Sequence, residues 1–275
     1  MNPIYYLLIF TLLSCSVRAD SAFVYSSNLA KSICEDAKDY TYEQRFRLIH
    51  TLDSHISMGD MEYYLDFLNR PFEKGNLSEG QLDTLKNDLA DKLLMQRTAP
   101  RGFTEGFLKM MDQEALGVVW RDYVLQKLPD LYARAGEKDR SLILSKLWEA
   151  TDLKTHTFSG TALLGLRRIN SRYPEAIDSN QFAEKALAVA TGDAFPEPNR
   201  VTALQLLAEA PHPEASRLAR ELLSADSSVM LHMSAVGVLG TLGVPADKEI
   251  LLTYATCSEF RLRTAARAAL ENFER

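Results

Sequence analysis

Three stretches in the C-terminal third decide the fold: NRVTALQLLA (199–208), LHMSAVGVLG (231–240) and LRTAARAALE (262–271). Aligned without gaps, they share a small residue at the fourth position, Ala at the fifth and Leu at the ninth. The second position is Arg, His and Arg. Because a small residue and a Leu four positions later lie on one face of an α-helix, each stretch predicts a helix that a neighbouring helix can approach closely.

Weaker copies of the same pattern occur upstream. They are FSGTALLGLR (158–167), WRDYVLQKL (120–128) and QRFRLIHTL (44–52). The segment 78–95 also predicts a helix, although its register relative to the copies is not defined. No segment alternates apolar and polar residues over the length of a strand. The pattern therefore indicates an all-α repeat protein.

The copies at 199–208 and 231–240 are each followed by a proline-containing break and a second amphipathic segment, which covers 214–223 after the first and 246–256 after the second. Pro213 and Pro245 are typical of the start of a helix, where the missing N–H has no helical partner in any case. The repeating unit is therefore predicted to be the copy, a short turn and this second helix. Bulky residues in place of Ala at 120–123 predict a wider spacing or a bend there.

The repeats resemble HEAT repeats of the short kind, with the pattern V-R-x-A-A-x-x-x-L-G. The resemblance implies a right-handed α-solenoid over residues 40–275, clearest at 199–275, preceded by an N-terminal segment 20–39. It also implies that the second helices of the repeats line one, usually concave, face. The repeated Arg of the pattern has two interpretations. It forms a row of positive charges that binds an acidic ligand, or it has a structural role and bonds an acidic residue or loop carbonyl of a neighbouring repeat. We favour the structural role.

The first 19 residues are typical of a signal peptide. Residues 4–13 form an uncharged apolar core, and Val17-Arg18-Ala19 resembles a small-residue cleavage site before Asp20. No Lys or Arg precedes the core, so a buried N-terminal element is the competing interpretation. Export predicts a periplasmic or secreted protein. A second cleavage pattern, Leu12 to Cys15, resembles a bacterial lipobox and predicts a membrane anchor through lipidation of Cys15.

Charge and motifs exclude several function classes. The chain carries a net charge of −6 and no basic block, which argues against nucleic-acid binding. No Gly-rich phosphate loop, no Gly-x-Ser-x-Gly and no helical metal-ligand spacing is present, so no catalytic residue, metal or cofactor is predicted. Cys34 and Cys257 are the remaining thiols after export, and we expect them to be unpaired because an extended solenoid separates them.

The predicted function is therefore a non-catalytic scaffold that binds a protein or peptide along a solenoid face. The alternative is an enzyme or an accessory component of an envelope-modifying system. In the helix over 214–223, Ala215, Leu218 and Leu222 predict a buried stripe. The predicted partner-binding residues project from the other side of this helix and from the start of the next: Glu214, Arg217, Glu221 and Lys248. A solvated surface explains the same charges equally well.

Overall fold

The computed structural model describes residues 27–35, 40–53, 55–73, 75–96, 102–209 and 212–273. Within these ranges it contains fourteen α-helices and no strand. The helices are α1 (Asn28–Cys34), α2 (Tyr42–His50), α3 (Met58–Leu68), α4 (Glu79–Leu94), α5 (Phe103–Met111), α6 (Val118–Arg134), α7 (Glu137–Ala150), α8 (Phe158–Arg172), α9 (Ser179–Thr191), α10 (Glu197–Glu209), α11 (Ala215–Ser224), α12 (Val229–Leu242), α13 (Asp247–Ala255) and α14 (Phe260–Phe273).

Local sequence sets several of the helix starts. The Thr41 hydroxyl accepts a hydrogen bond from the Gln44 amide while the Gln44 side chain accepts one from the Thr41 amide, which is a capping box. Ser78 and Gln81 repeat this arrangement at the start of α4. Such caps satisfy amide groups that have no partner inside the helix. Both pairs are visible in the sequence, and the second confirms the helix predicted over 78–95.

The helices pack as seven consecutive pairs, from α1 with α2 to α13 with α14. The even-numbered helices form one layer, the stacked layer, in which each helix packs directly against the next from α2 to α14. The odd-numbered helices form a second layer, the spaced layer, in which most successive helices make at most marginal contact. The fold is thus an all-α solenoid, as predicted. Because successive helices lie closer together in the stacked layer, that layer forms the shorter, concave side.

The predicted repeat unit is wrong by one helix. The three clear copies lie in α10, α12 and α14, and each is the second helix of its pair, since α11 packs far more extensively with α12 than with α10. The segments 214–223 and 246–256 are therefore first helices, α11 and α13, and lie in the spaced layer and not on the concave side. The sequence pattern defines the period of the repeat but not the neighbour that each copy contacts.

The repeated basic position explains the correct pairing. Arg200 Nε donates to the carbonyl of Ala190 at 3.1 Å, and Arg121 Nε donates to the carbonyl of Met111 at 2.9 Å. His232 Nε2 lies 3.1 Å from the carbonyl of Leu222. Each acceptor lies in the last turn of the preceding helix, where carbonyls have no helical partner. The structural role is confirmed, but the bond joins the two helices of one pair.

The small residues of the copies lie where stacked helices meet, as predicted. Ala203, Ala235 and Ala266 are all fully buried. At Gly240 the approach is closer still, because a Cβ built there would lie 2.6 Å from the Cβ of Ala269 and 2.8 Å from its Cα. Glycine at this position is therefore what allows α12 and α14 to pack backbone to backbone.

The solenoid begins before residue 40. The segment assigned to 20–39 contains α1, which packs against α2 and α3 and buries Ile33 and Cys34. Seven residues are too few to show a helical period in the sequence. Cys34 and Cys257, at opposite ends of the stack, are both free thiols. The predicted signal peptide 1–19 and Cys15 lie outside the described residues.

No helix in the described ranges is both long enough and apolar enough to cross a bilayer.

Candidate functional site

Two adjoining cavities open on the stacked layer, one on each side of α6. The cavity between α6 and α8 has a volume of about 470 Å³, and the cavity between α4 and α6 has a volume of about 510 Å³. Asp130 lines both, so the two cavities adjoin at this residue. We call the two cavities together the groove and define it by six residues: Asp91, Met95, Asp130, Arg134, Leu164 and Arg168.

The first cavity is shaped by a proline and a glycine. Pro129 lies inside α6, where it has no N–H to donate to the preceding turn. Gly165 of α8 faces it. A Cβ at position 165 would lie 3.0 Å from Cδ2 of Leu147 and 3.4 Å from Cγ of Pro129. Gly165 thus lets α8 settle between α6 and α7, and the space above this junction is left open.

Ion pairs connect neighbouring helices along the groove. Arg168 Nη2 lies 2.6 Å from Asp130 Oδ1, and Arg172 Nη1 lies 3.7 Å from the same oxygen. Lys127 Nζ donates to Asp91 Oδ1 at 2.6 Å, which joins α6 to α4. The pairs hold charged side chains at defined positions on the groove surface. Such positions are suited to recognising polar groups of a partner.

Two large apolar side chains remain exposed in the groove. Leu164 is 52% exposed and Met95 is 69% exposed. Both lie beside one of the charged residues just described, Leu164 near Arg168 and Met95 near Asp91. Apolar surface inside a polar rim is the usual composition of a binding surface. The groove therefore offers contact area as well as charge.

The predicted partner-binding residues form a separate surface. Arg217 Nε lies 2.5 Å from Glu214 Oε2, and Arg217 Nη1 lies 2.5 Å from Glu221 Oε1, so the three side chains meet as the helical spacing predicts. Ala215, Leu218 and Leu222 are buried on the opposite side of α11. Lys248 lies exposed on α13.

This face belongs to the spaced layer, away from the groove. Nothing in the structure tests it as a binding site, and it stays a prediction.

Sequence analysis missed the groove because tertiary contacts create it. Its residues come from three helices that are separated by about one repeat each. The one local signal is Pro129, a proline within an otherwise helical pattern, opposite a second irregularity at Gly165. Neither residue indicates a cavity until the packing of α6 against α8 is known.

Two side chains with shifted pKa values, Lys86 and Asp83, are buried beneath α4 and away from the groove. Burial lowers the pKa of Lys86 from 10.5 to about 8, and burial raises the pKa of Asp83 from 3.8 to about 6. Lys86 Nζ donates to the carbonyl of Arg70 beyond the end of α3 and lies 5.6 Å from the ring centroid of Trp120. Lys86 therefore performs in α4 the capping role that arginine performs in later pairs.

No cluster of three His, Cys, Asp or Glu side chains suited to a metal ion occurs among the described residues.

Fold and groove together define an α-solenoid that presents a charged and partly apolar depression on its concave side. No protein-family model matches the chain, and no curated protein matches it significantly. Among solved structures it is similar to human deoxyhypusine hydroxylase in complex with glycerol, at 15% sequence identity and a TM-score of 0.41, over 90% of this chain and 94% of that chain. A similarity of this strength assigns neither a family nor an activity.

Proposed function

We propose that this chain is a non-catalytic interaction protein that binds a partner polypeptide in the groove. The observation that carries the proposal is the pair of adjoining cavities between α4, α6 and α8, joined at Asp130. Stacked helical repeats create long surfaces of this kind, and a partner that crosses several repeats gains contacts from each. Exposed Leu164 and Met95 provide the apolar contacts that such a complex needs.

The position of the perturbed groups supports binding over catalysis. Active sites commonly hold titratable groups with shifted pKa values inside an accessible cleft. Here Lys86 and Asp83 are buried under α4, at 1% and 6% exposure, and do not line the groove. Lys86 is already engaged with a backbone carbonyl.

Partner capture from the cells that produce the chain tests the proposal. Leu164→Glu places a charge in the groove, while Leu252→Glu makes the same change at a side chain of similar exposure, 49%, on α13. We expect the first variant to lose at least tenfold of the co-purified partner, because the carboxylate replaces the apolar contact of Leu164 and can pair with Arg168 four residues further along α8. The second variant should retain it. Equal capture by both variants, with unchanged helical circular dichroism, would move the binding surface elsewhere.

Export is a further part of the proposal, since residues 1–19 have the composition of a signal peptide. The mass of the mature protein decides between the interpretations. A start at Asp20 indicates secretion or periplasmic release, and a lipidated Cys15 indicates a membrane anchor. An intact Met1 on a protein that stays in the cytosol would contradict export.

A further inference from the structure

Around Asp130 the charge is more positive than negative, because Asp91 is already paired with Lys127, although the chain as a whole carries a net charge of −6. Three arginines lie close to Asp130 along the chain or in space. Arg168 and Arg172, one turn apart on α8, pair with it, and Arg134, one turn beyond it on α6, lines the same cavity. One carboxylate cannot neutralise three cations. The excess is localised at the ends of two adjacent stacked helices.

Two of the three guanidinium groups have hydrogen-bonding capacity to spare. Arg168 bonds Asp130 closely, but Arg172 reaches it only at 3.7 Å. Arg134 is exposed and makes no ion pair with any residue in the described ranges. A guanidinium offers five N–H donors in a planar fork that fits a carboxylate with two parallel bonds. The unused donors of Arg134 and Arg172 therefore face solvent beside the groove.

Helix ends reduce this excess but do not remove it. Arg134 and Arg172 are the last residues of α6 and α8, and each helix C-terminus carries a partial charge of roughly −0.5. The two ends together offset about one of the two excess charges. A net positive charge of roughly one remains in the groove, beside apolar Leu164 and Met95.

We propose that the groove recognises an acidic segment of a partner polypeptide in an extended conformation. Its carboxylates bond Arg134 and Arg172, and its apolar side chains cover Leu164 and Met95. This inference rests on the proposed function and adds the chemistry of the partner. Adjacent packed helices lie about 8–10 Å apart, and an extended chain rises about 3.3 Å per residue. Side chains about three residues apart therefore enter the two cavities.

Selection from a display library of random peptides on the immobilised full chain tests the proposal. Each peptide has about 12 residues, which in extended form gives about 40 Å of chain and is long enough to cross the groove. Parallel selections use three variants. The first is the arginine pair, Arg134→Gln combined with Arg172→Gln. The second is Leu164→Glu alone, and the third is the control pair, Lys109→Gln combined with Lys138→Gln. The control removes the same charge from exposed side chains on α5 and α7. Circular dichroism and thermal melts verify that every variant is folded.

We expect the parent and the control pair to enrich peptides with an excess of Asp and Glu over Lys and Arg, interrupted by apolar residues. The arginine pair should recover these peptides at least tenfold less well, and binding should weaken as salt rises because exposed charges are screened. A different result would be peptides that have no acidic excess and that lose binding to Leu164→Glu but not to the arginine pair. This result would contradict the acidic-segment proposal but not binding in the groove. Failure to enrich any peptide that depends on Leu164 would contradict both proposals.

Discussion

The stacked and spaced layers hold successive helices together in different ways. In the stacked layer, small residues such as Ala235 and Gly240 form buried contacts where backbones approach, and ion pairs are added at the groove. In the spaced layer, ion pairs bridge successive helix pairs. They are Lys146–Asp112 at 2.9 Å, Lys185–Asp152 at 2.8 Å and Arg220–Asp247 at 2.6 Å.

Side-chain size therefore differs between these contacts of the two layers. Residues with little or no side chain bring helices together on one side, and long charged side chains span the wider gaps on the other. Close packing of this kind tolerates little added volume, whereas an ion pair that is partly in water contributes little to stability. The two layers should consequently respond very differently to substitution.

The largest effect is expected in the stacked layer. Ala235→Leu adds three carbons at a fully buried contact and should lower the free energy of unfolding by about 1–3 kcal/mol. Ala188→Leu makes the same change on an exposed face of α9 in the spaced layer and should alter it by less than about 0.5 kcal/mol. Chemical denaturation of both variants measures the contrast. Equal losses would mean that the stacked layer is not the tightly packed one.

A smaller effect is expected for Arg220→Gln, which removes the pair between α11 and α13. Asp247 is buried and keeps only the Val244 amide as a donor, but Arg220 is 38% exposed, so the loss should be about 1 kcal/mol. Arg261→Gln, at an exposed site on α14, is the matched control and should be near neutral.

The same variant has a defined pH dependence. The hydrogen bonds from Arg220 lower the pKa of Asp247 below its usual 3.8, so the stabilisation is present at neutral pH and is lost as pH falls through the lowered value. The difference between the parent and Arg220→Gln should therefore shrink in acid. A difference that is constant from pH 7 to pH 3 would show that the pair does not act through the charge of Asp247.

The C-terminal half could be predicted from sequence because its stacking relies on small residues at regular spacing. Ala203, Ala235 and Ala266 identify the stacked helices directly. The pairing of helices could not be predicted, since it depends on which carbonyl each basic side chain reaches. Arg200 points back to Ala190 and not forward to α11. A spacing pattern contains no information about that direction.

The N-terminal half was harder to predict because other residues take over the same roles. In α4, Lys86 reaches back to the carbonyl of Arg70 across 16 residues, compared with 10 residues for Arg200 and Ala190. Its ammonium group lies over the ring of buried Trp120. The bond from a basic side chain to the end of the preceding helix is therefore also present in α4, but its residue type and its spacing differ from those of the copies. An alignment by residue type consequently overlooks α4.

For the two surfaces, sequence reasoning predicted the side-chain contacts within α11 and overlooked the groove. Helical spacing was sufficient to bring Arg217 together with Glu214 and Glu221. It could not show that α11 belongs to the spaced layer, nor that Asp130 of α6 meets Arg168 of α8. Contacts within one helix follow from periodicity, but a groove between helices requires the order in which they pack.

Photo-crosslinking in intact cells tests directly whether the stacked layer is the binding side. A photoreactive residue is placed at Met95 or Leu164 in the groove, and at Glu221 or Lys248 on the spaced layer, all of which are exposed. We expect positions 95 and 164 to form adducts with the same partner polypeptide and positions 221 and 248 to form none. Adducts at 221 and 248 without adducts at 95 and 164 would contradict this expectation and restore the spaced-layer face as the binding surface.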